Sequence, residues 1–490
     1  MNCVYTVCVA SDVAVRKSNN FKNLVMPGLL EVICEIDRID INEWLEDIEA
    51  TTVSKTEVAY VAPDLIAKIS DALKSKFMLT NYIPYIKQCL ESNQWNAQFA
   101  GIMAMGVLAE GSSKFYRSEI DGIMAFILPG FESPDPRVVY ATLTAVALFC
   151  NEYTPDIQKK YGNKILEQFL KIMNDDRYIK LQKQATSCII NFSEEIINEE
   201  KQSKILTKYA DPLMEALIKL FQKALDKNLS ILLEEVLNAI SMISSVIDDE
   251  FAKYYDTFMP ALKKLLDTIP NEDETQTRIR LTAIETMSFV MTSIRNEDRF
   301  INEADQYMEY FITLQNKLEP EDPEHGPILD FYCQLSSYMR ENFVKYMPFI
   351  YPKVLSMLEI KVKFVTADND EVSKKKFALS GKLDLKLFPI EHFTLDASAF
   401  SIKLAACNSV FSLSRNLGKA FYEYIPATLP IICKYFSEPM ALMSEKAVKS
   451  IRNFVMACEN EKDVVDIINM SFPGMLEAMK SRFDTQDSTL

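Results

Sequence analysis

The chain has 490 residues, 48% of them apolar, and carries 69 Asp and Glu against 53 Lys and Arg, a formal net charge of −16. That balance argues against nonspecific nucleic-acid binding, which needs a basic footprint. It suits basic protein partners steered by an acidic field, although solubility alone would also account for it. Only 11 glycines are present, too few for strand-rich or dinucleotide-binding folds with many tight turns.

In chain order, the apolar start Met1 to Ala10 lacks a basic n-region, so no secretory leader is expected. Residues 1–18 read as the second helix of a hairpin without its partner. A phrase then recurs, in which an aromatic or charged approach leads to a proline and an apolar helix that follows or contains it. It reads Leu24-Val-Met-Pro27, Asn81-Tyr-Ile-Pro84, Ala210-Asp-Pro212, Thr257-Phe-Met-Pro260, Lys345-Tyr-Met-Pro348, Glu423-Tyr-Ile-Pro426 and Met470-Ser-Phe-Pro473. Pro212 and Pro260 lie 48 residues apart, Pro426 and Pro473 lie 47 apart, and Pro260 to Pro348 is 88, or two units of 44. A two-helix unit of that length is the signature of a helical solenoid.

The clearest unit spans Ser118 to Cys150. Its first helix (A) runs into the turn Glu132-Ser-Pro-Asp-Pro136, and its second (B) starts at Arg137. This is HEAT-type punctuation. Proline in a first turn loses no helical hydrogen bond, Asp135 can cap the amides, and Arg137 can bridge repeats. Further units are read at about 80–112, 155–195, 200–247, 250–295, 297–342, 344–417 and 419–458, with an unfinished one from 462. The fold class is therefore all-α, an α-α superhelix (HEAT-repeat solenoid) of about nine to ten helical hairpins.

Four segments follow from the period. Residues 1–79 hold partial first repeats and an acidic loop at 38–54. Residues 80–359 form the regular array, 360–396 an inserted loop or hairpin, and 397–490 the C-terminal repeats with a polar tail. Within the insertion, the alternation at Lys382-Leu-Asp-Leu-Lys-Leu-Phe388 suits a short strand. Both ends look abrupt for a solenoid, whose end repeats need polar caps, and a longer array is the expectation.

No uninterrupted apolar stretch reaches the ~18 residues of a membrane span. The ten cysteines lack CxxC pairing and mostly sit in apolar helical stretches, so buried free thiols in a soluble, intracellular protein are expected. No catalytic, metal or cofactor site is expected. His325 and His392 are the only histidines, and no nucleophile elbow or phosphate-binding glycine loop appears.

Several phrases go beyond a generic HEAT array. They are Met26-Pro-Gly-Leu-Leu-Glu-Val-Ile-Cys-Glu-Ile-Asp37 followed by Glu43-Trp44, Trp95 through Ala109-Glu-Gly111, and Ser133-Pro-Asp-Pro-Arg-Val-Val-Tyr-Ala141. Ile189-Ile-Asn-Phe-Ser-Glu194, Leu233-Glu-Glu-Val-Leu-Asn-Ala-Ile-Ser241 and Phe251-Ala-Lys-Tyr-Tyr-Asp-Thr-Phe-Met-Pro-Ala-Leu262 complete the set. Residues 24 to 345 thereby resemble the importin-β (karyopherin-β) family, in its importin-five-like branch. The resemblance implies a monomeric nuclear transport receptor that shuttles between cytoplasm and nucleus. Such a receptor binds basic protein cargo on a concave acidic B-helix surface, engages Phe-Gly nucleoporins, and releases cargo to Ran GTPase. By the order of the matching phrases, the chain starts after the first repeats, where the family's main Ran grip lies.

Two groups of candidate binding residues result. In the acidic loop, Asp40, Glu43, Trp44, Glu46, Asp47 and Glu49 suit Ran or a basic cargo segment, with Trp44 stacking on an arginine or a lysine stem. The other reading of the loop is a solvated connection with Trp44 tucked against its repeat. On the inner helices, Asn191 and Glu194, then Glu234, Glu235 and Asn238, lie three or four residues apart and share a face. Asparagine amides can clamp a peptide backbone and glutamates can pair with lysines. A solvated face or an inter-repeat ladder is the alternative. Trp95 and Phe99 read as buried aromatics at a helix start rather than a peptide pocket. The rival function is a HEAT scaffold or chaperone for basic proteins that transports nothing.

Overall fold

Apolar residues at helical spacing give each helix a stripe that it cannot bury alone, so each packs on the next. The computed structural model describes residues 2–48, 58–109, 117, 119–194, 196, 200–361, 364–366, 393–395, 397–436 and 441–486. They form two compact units, Met1–Ile247 and Asp248–Leu490, each a row of helical hairpins.

The first unit opens with α1 (Asn2–Ala10), α2 (Asp12–Lys17), α3 (Met26–Cys34) and the short α4 (Ile41–Glu46). Next come α5 (Val58–Leu73) and four hairpins, α6 (Ser75–Leu90) with α7 (Trp95–Val107), α8 (Ile120–Ile127) with α9 (Pro136–Glu152), α10 (Asp156–Met173) with α11 (Ile179–Glu194), and α12 (Glu200–Asp226) with α13 (Ser230–Ile247). The B helices α7, α9, α11 and α13 stack in sequence, and α5 packs between α1 and α7. Their facing stripes are the core, for example Val138, Leu143, Val146 and Phe149 of α9. Asp135 caps α9 by accepting from the Arg137 amide, as its turn sequence predicts.

The second unit holds α14 (Tyr255–Thr268), α15 (Glu274–Thr292), α16 (Phe300–Gln315), α17 (His325–Met339), α18 (Met347–Leu358), α19 (Ala397–Leu417), α20 (Ile425–Cys433), α21 (Ala441–Ala457) and α22 (Glu461–Gln486). Its B helices are α15, α17, α19 and α21. Between α18 and α19, β1 (Phe364–Thr366) and β2 (Phe393–Leu395) pair antiparallel, with Phe364 opposite Leu395. The strand expected at 382–388 lies outside the described residues. The pairing seen is at the base of the insertion instead.

The prolines divide into two groups. Pro27, Pro348 and Pro426 stand in a first helical turn, but Pro84, Pro212, Pro260 and Pro473 lie inside helices. The approach to these four is itself helical, so the phrase marks A helices without marking their starts. Its lysine-tyrosine approach has a packing role. Lys345 and Tyr346 both bond Asp305 of the preceding A helix, at 2.7 and 2.6 Å. Lys208 and Tyr209 grip Asn163 at 2.8 and 3.3 Å, and the pair Lys160-Tyr161, which no proline follows, grips Asp121 in the same way. The contacting residues are 39 to 46 positions apart, one repeat.

Connections in the second unit repeat a further device. A residue with positive φ (Asp248, Arg340 or Gly418) precedes by three a fully buried phenylalanine (Phe251, Phe343 or Phe421) in a 3-10 turn. Glycine takes such a backbone without a Cβ clash, but exposed Arg340, at φ 48° and ψ −115°, does not. Arg340→Gly is therefore expected to stabilise this unit by about 1 kcal/mol in chemical denaturation, with Arg340→Ala giving no gain.

Among the described residues one stretch, Ser230–Thr268, reaches the length and hydropathy of a membrane span. It is broken at Asp248, and α13 spends Leu232, Val236, Ile240 and Ile243 on the core. All ten cysteines are free thiols. Cys8, Cys150, Cys188 and Cys407 are buried, five are half-buried and Cys3 is exposed, so the expectation of burial was too general.

Candidate functional site

The chain leaves α3 through a short 3-10 turn and runs as a strap, residues 37–48, against the first turns of three later B helices. The strap turns at Asp40, whose carboxylate accepts from the amides of Asn42 and Glu43 at 2.8 and 3.3 Å and so caps α4. Those backbone donors hold its carboxyl below the usual carboxylate range. Asn96, at the start of α7, donates to Asp37 at 3.0 Å. Arg137, at the start of α9, lies 3.6 Å above the Trp95 ring, is held bidentate by Asp135, and donates to the Ile39 carbonyl at 3.4 Å.

The far end of the strap is fixed by Lys180 of α11. Its ammonium donates to the carbonyls of Trp44 and Asp47 at 2.8 and 2.7 Å, and the Asp47 carboxylate stands 3.8 Å away. The same nitrogen sits 4.4 Å from the Trp44 ring centre and 5.8 Å from that of Tyr140, and the two rings meet edge to face. Trp44 and Lys180 are each 2% exposed. The stacking cation foreseen for Trp44 is thus the chain's own lysine, and the ring is not open to a partner. Asp40, Glu43 and Glu46 remain exposed and Asp47 is half-buried, while Glu49 lies outside the described residues. Phe99 is buried at its helix start as expected, whereas Trp95 is only half-buried and lies under Arg137.

Below the strap a polar stripe crosses the stacked B helices. Asn151 of α9 donates to the Asn191 side-chain oxygen of α11 at 3.4 Å, and Gln184 donates to Thr144 at 3.2 Å. Lys183 of α11 stands 3.5 Å from Glu235 of α13. Burial pushes the Glu235 carboxyl upward, and Lys183 pulls against it. Glu234 and Asn238 lie beside Glu235 on the half-buried face of α13, and Glu194 is exposed at the end of α11. The five inner residues therefore fall on two adjacent B helices. Sequence reasoning missed Asn151, Lys180, Lys183 and Gln184, although Lys180, Gln184, Ser187 and Asn191 share one helical face at three- and four-residue spacing.

A cavity of about 200 Å³ separates the turn at Glu132–Pro136 from that at Asp175–Tyr178, with Phe131, Val139, Ile172 and Leu181 beneath. Among the described residues no three His, Cys, Asp or Glu side chains are grouped to hold a metal ion.

The comparisons agree with the helical repeat. The family described as importin subunit beta-1-like, TPR repeats, matches residues 157–370. Importin subunit beta-3 of Saccharomyces cerevisiae is 23% identical over 419 residues, covering 85% of this chain and 37% of that protein. The chain is thus similar in sequence to importin-β proteins. The probable importin-5 homolog of Dictyostelium discoideum is 24% identical over 74% of this chain and 32% of its own length. Solved structures of Kap121p bound to Pho4p and to Nup53p superpose with TM-scores of 0.79 and 0.78 at 18% identity, over 97% of this chain and 45% of theirs. The chain thus spans less than half the length of these relatives. Its repeat spacing near 44 residues is that of HEAT hairpins, longer than the ~34 of TPR units.

Proposed function

We propose that the chain is the cargo-holding part of a nuclear transport receptor and binds basic protein segments along the B helices of its first unit. The observation that carries this reading is the polar stripe from Asn151 and Asn191 to Glu234, Glu235 and Asn238. Asparagine side chains on neighbouring helices suit the backbone of an extended segment, and the glutamates suit its lysines. Lys183 occupies Glu235 as an incoming lysine would. Kap121p, of matching fold, is the protein whose complexes with Pho4p and Nup53p are solved, which favours protein segments as ligands. No catalytic step is part of the proposal, and the receptor shuttles between cytoplasm and nucleus as a monomer.

The test is retention of the chain on three matrices, carrying a lysine-rich peptide, Phe-Gly repeat peptides and Ran locked with GTP. Retention on the first two is expected. Capture by Ran would add release by Ran to the activities of this chain. If basic peptides bind while Phe-Gly repeats and Ran do not, the transport reading fails. A HEAT scaffold or chaperone for basic proteins, which the same acidic stripe would serve, then stands in its place.

A further inference from the structure

We propose that Trp44, Tyr140, Asp47 and the carbonyls of residues 44 and 47 form a primary-ammonium site, which the chain fills with its own Lys180 as an internal latch. An ammonium offers three donors and no acceptor. Here the two carbonyls accept at 2.8 and 2.7 Å, and the Asp47 carboxylate supplies compensating charge at 3.8 Å. The Trp44 and Tyr140 rings supply the cation-binding faces. Charge this deeply buried persists only where such partners replace water.

The site is composite. Tyr140 belongs to α9, Lys180 to α11, and everything else to the strap. Filling the site therefore fastens the strap to two helices at once, and emptying it removes that fastening. Its ligand class is a primary alkylammonium, which a lysine of a partner protein also presents. The inference goes beyond the cargo reading and is tested without a protein partner, so either can fail alone.

The experiment uses the full chain labelled with 5-fluorotryptophan, whose two 19F resonances are assigned with Trp95→Phe. In Lys180→Ala the Trp44 resonance is expected to move to a solvent-exposed position. Titration with n-butylammonium, an analogue of the lysine side chain, should return it saturably to its wild-type position, while n-butanol should not. A Trp44 resonance that stays put in Lys180→Ala, or a response to butylammonium no greater than to butanol, overturns the proposal. Should circular dichroism show Lys180→Ala unfolded, Lys180→Met keeps the apolar stem and lacks only the ammonium. An unmoved Trp44 resonance in that variant overturns the proposal equally, and a moved one upholds it.

Discussion

Replacing Arg280 with methionine is expected to destabilise the second unit by about 3–5 kcal/mol, the typical loss when one member of a buried ion pair is removed. Arg280 lies in the second turn of α15, where its Nε and second terminal nitrogen meet the Glu324 carboxylate at 2.5 and 3.0 Å. Its remaining nitrogen donates to the carbonyls of Leu266 and Ile269 at the end of α14, at 2.6 and 2.7 Å. One side chain thus joins an A helix, its B helix and the turn before α17. Glu324 is fully buried, so removing Arg280 leaves a carboxylate without its charge partner and two carbonyls without donors. Urea denaturation and hydrogen exchange of the α14 to α17 amides would read the loss. Arg280→Met combined with Glu324→Leu should recover most of it, since an apolar pair removes the stranded charge. A single-mutant cost under about 1 kcal/mol would mean that water replaces the guanidinium, against the burial of Glu324.

Arg280 also illustrates what was legible beforehand. The repeat, the helical class and the capping turn at Asp135–Arg137 could be read because they depend on local spacing and on residues that punctuate helices. The device shared by Arg280 and Lys180, a cation early in a B helix that gathers carbonyls from a distant turn, could not be read. Its partners lie at separations that vary from 11 residues for Ile269 to 136 for Trp44. Trp44 was legible as a special residue but not in its role, because the cation covering it comes from another repeat. Whether the proline starts the A helix or lies inside it was left open for a related reason. The lysine and tyrosine before it act in A-helix packing, as at Asp305, so the helix extends back through them. Asn191 and Glu235 stood out as candidates because a polar residue on an apolar helix is conspicuous. Their partners Asn151 and Lys183 required the stacking order of the B helices.

That pairing makes the strongest functional prediction one of opposite signs. Glu234→Lys with Glu235→Lys should weaken binding of a lysine-rich peptide at least tenfold, about 1.4 kcal/mol. The change reverses two charges on α13 and sets one new lysine beside Lys183, 3.5 Å from the present Glu235 carboxylate. Lys183→Gln should strengthen the same binding, because it removes the internal cation that competes for Glu235. General damage to the fold cannot produce this pattern, since both changes disturb the same contact between α11 and α13. Fluorescence anisotropy at low and high salt would measure both. The wild-type affinity should fall with salt, and the double reversal should flatten that dependence, because it removes the charges that salt screens. If the reversal leaves affinity unchanged, Glu234 and Glu235 take no part in binding. If Lys183→Gln weakens binding as the reversal does, the contact with Glu235 is a structural tie between repeats, and a basic segment must find its acids elsewhere on the chain.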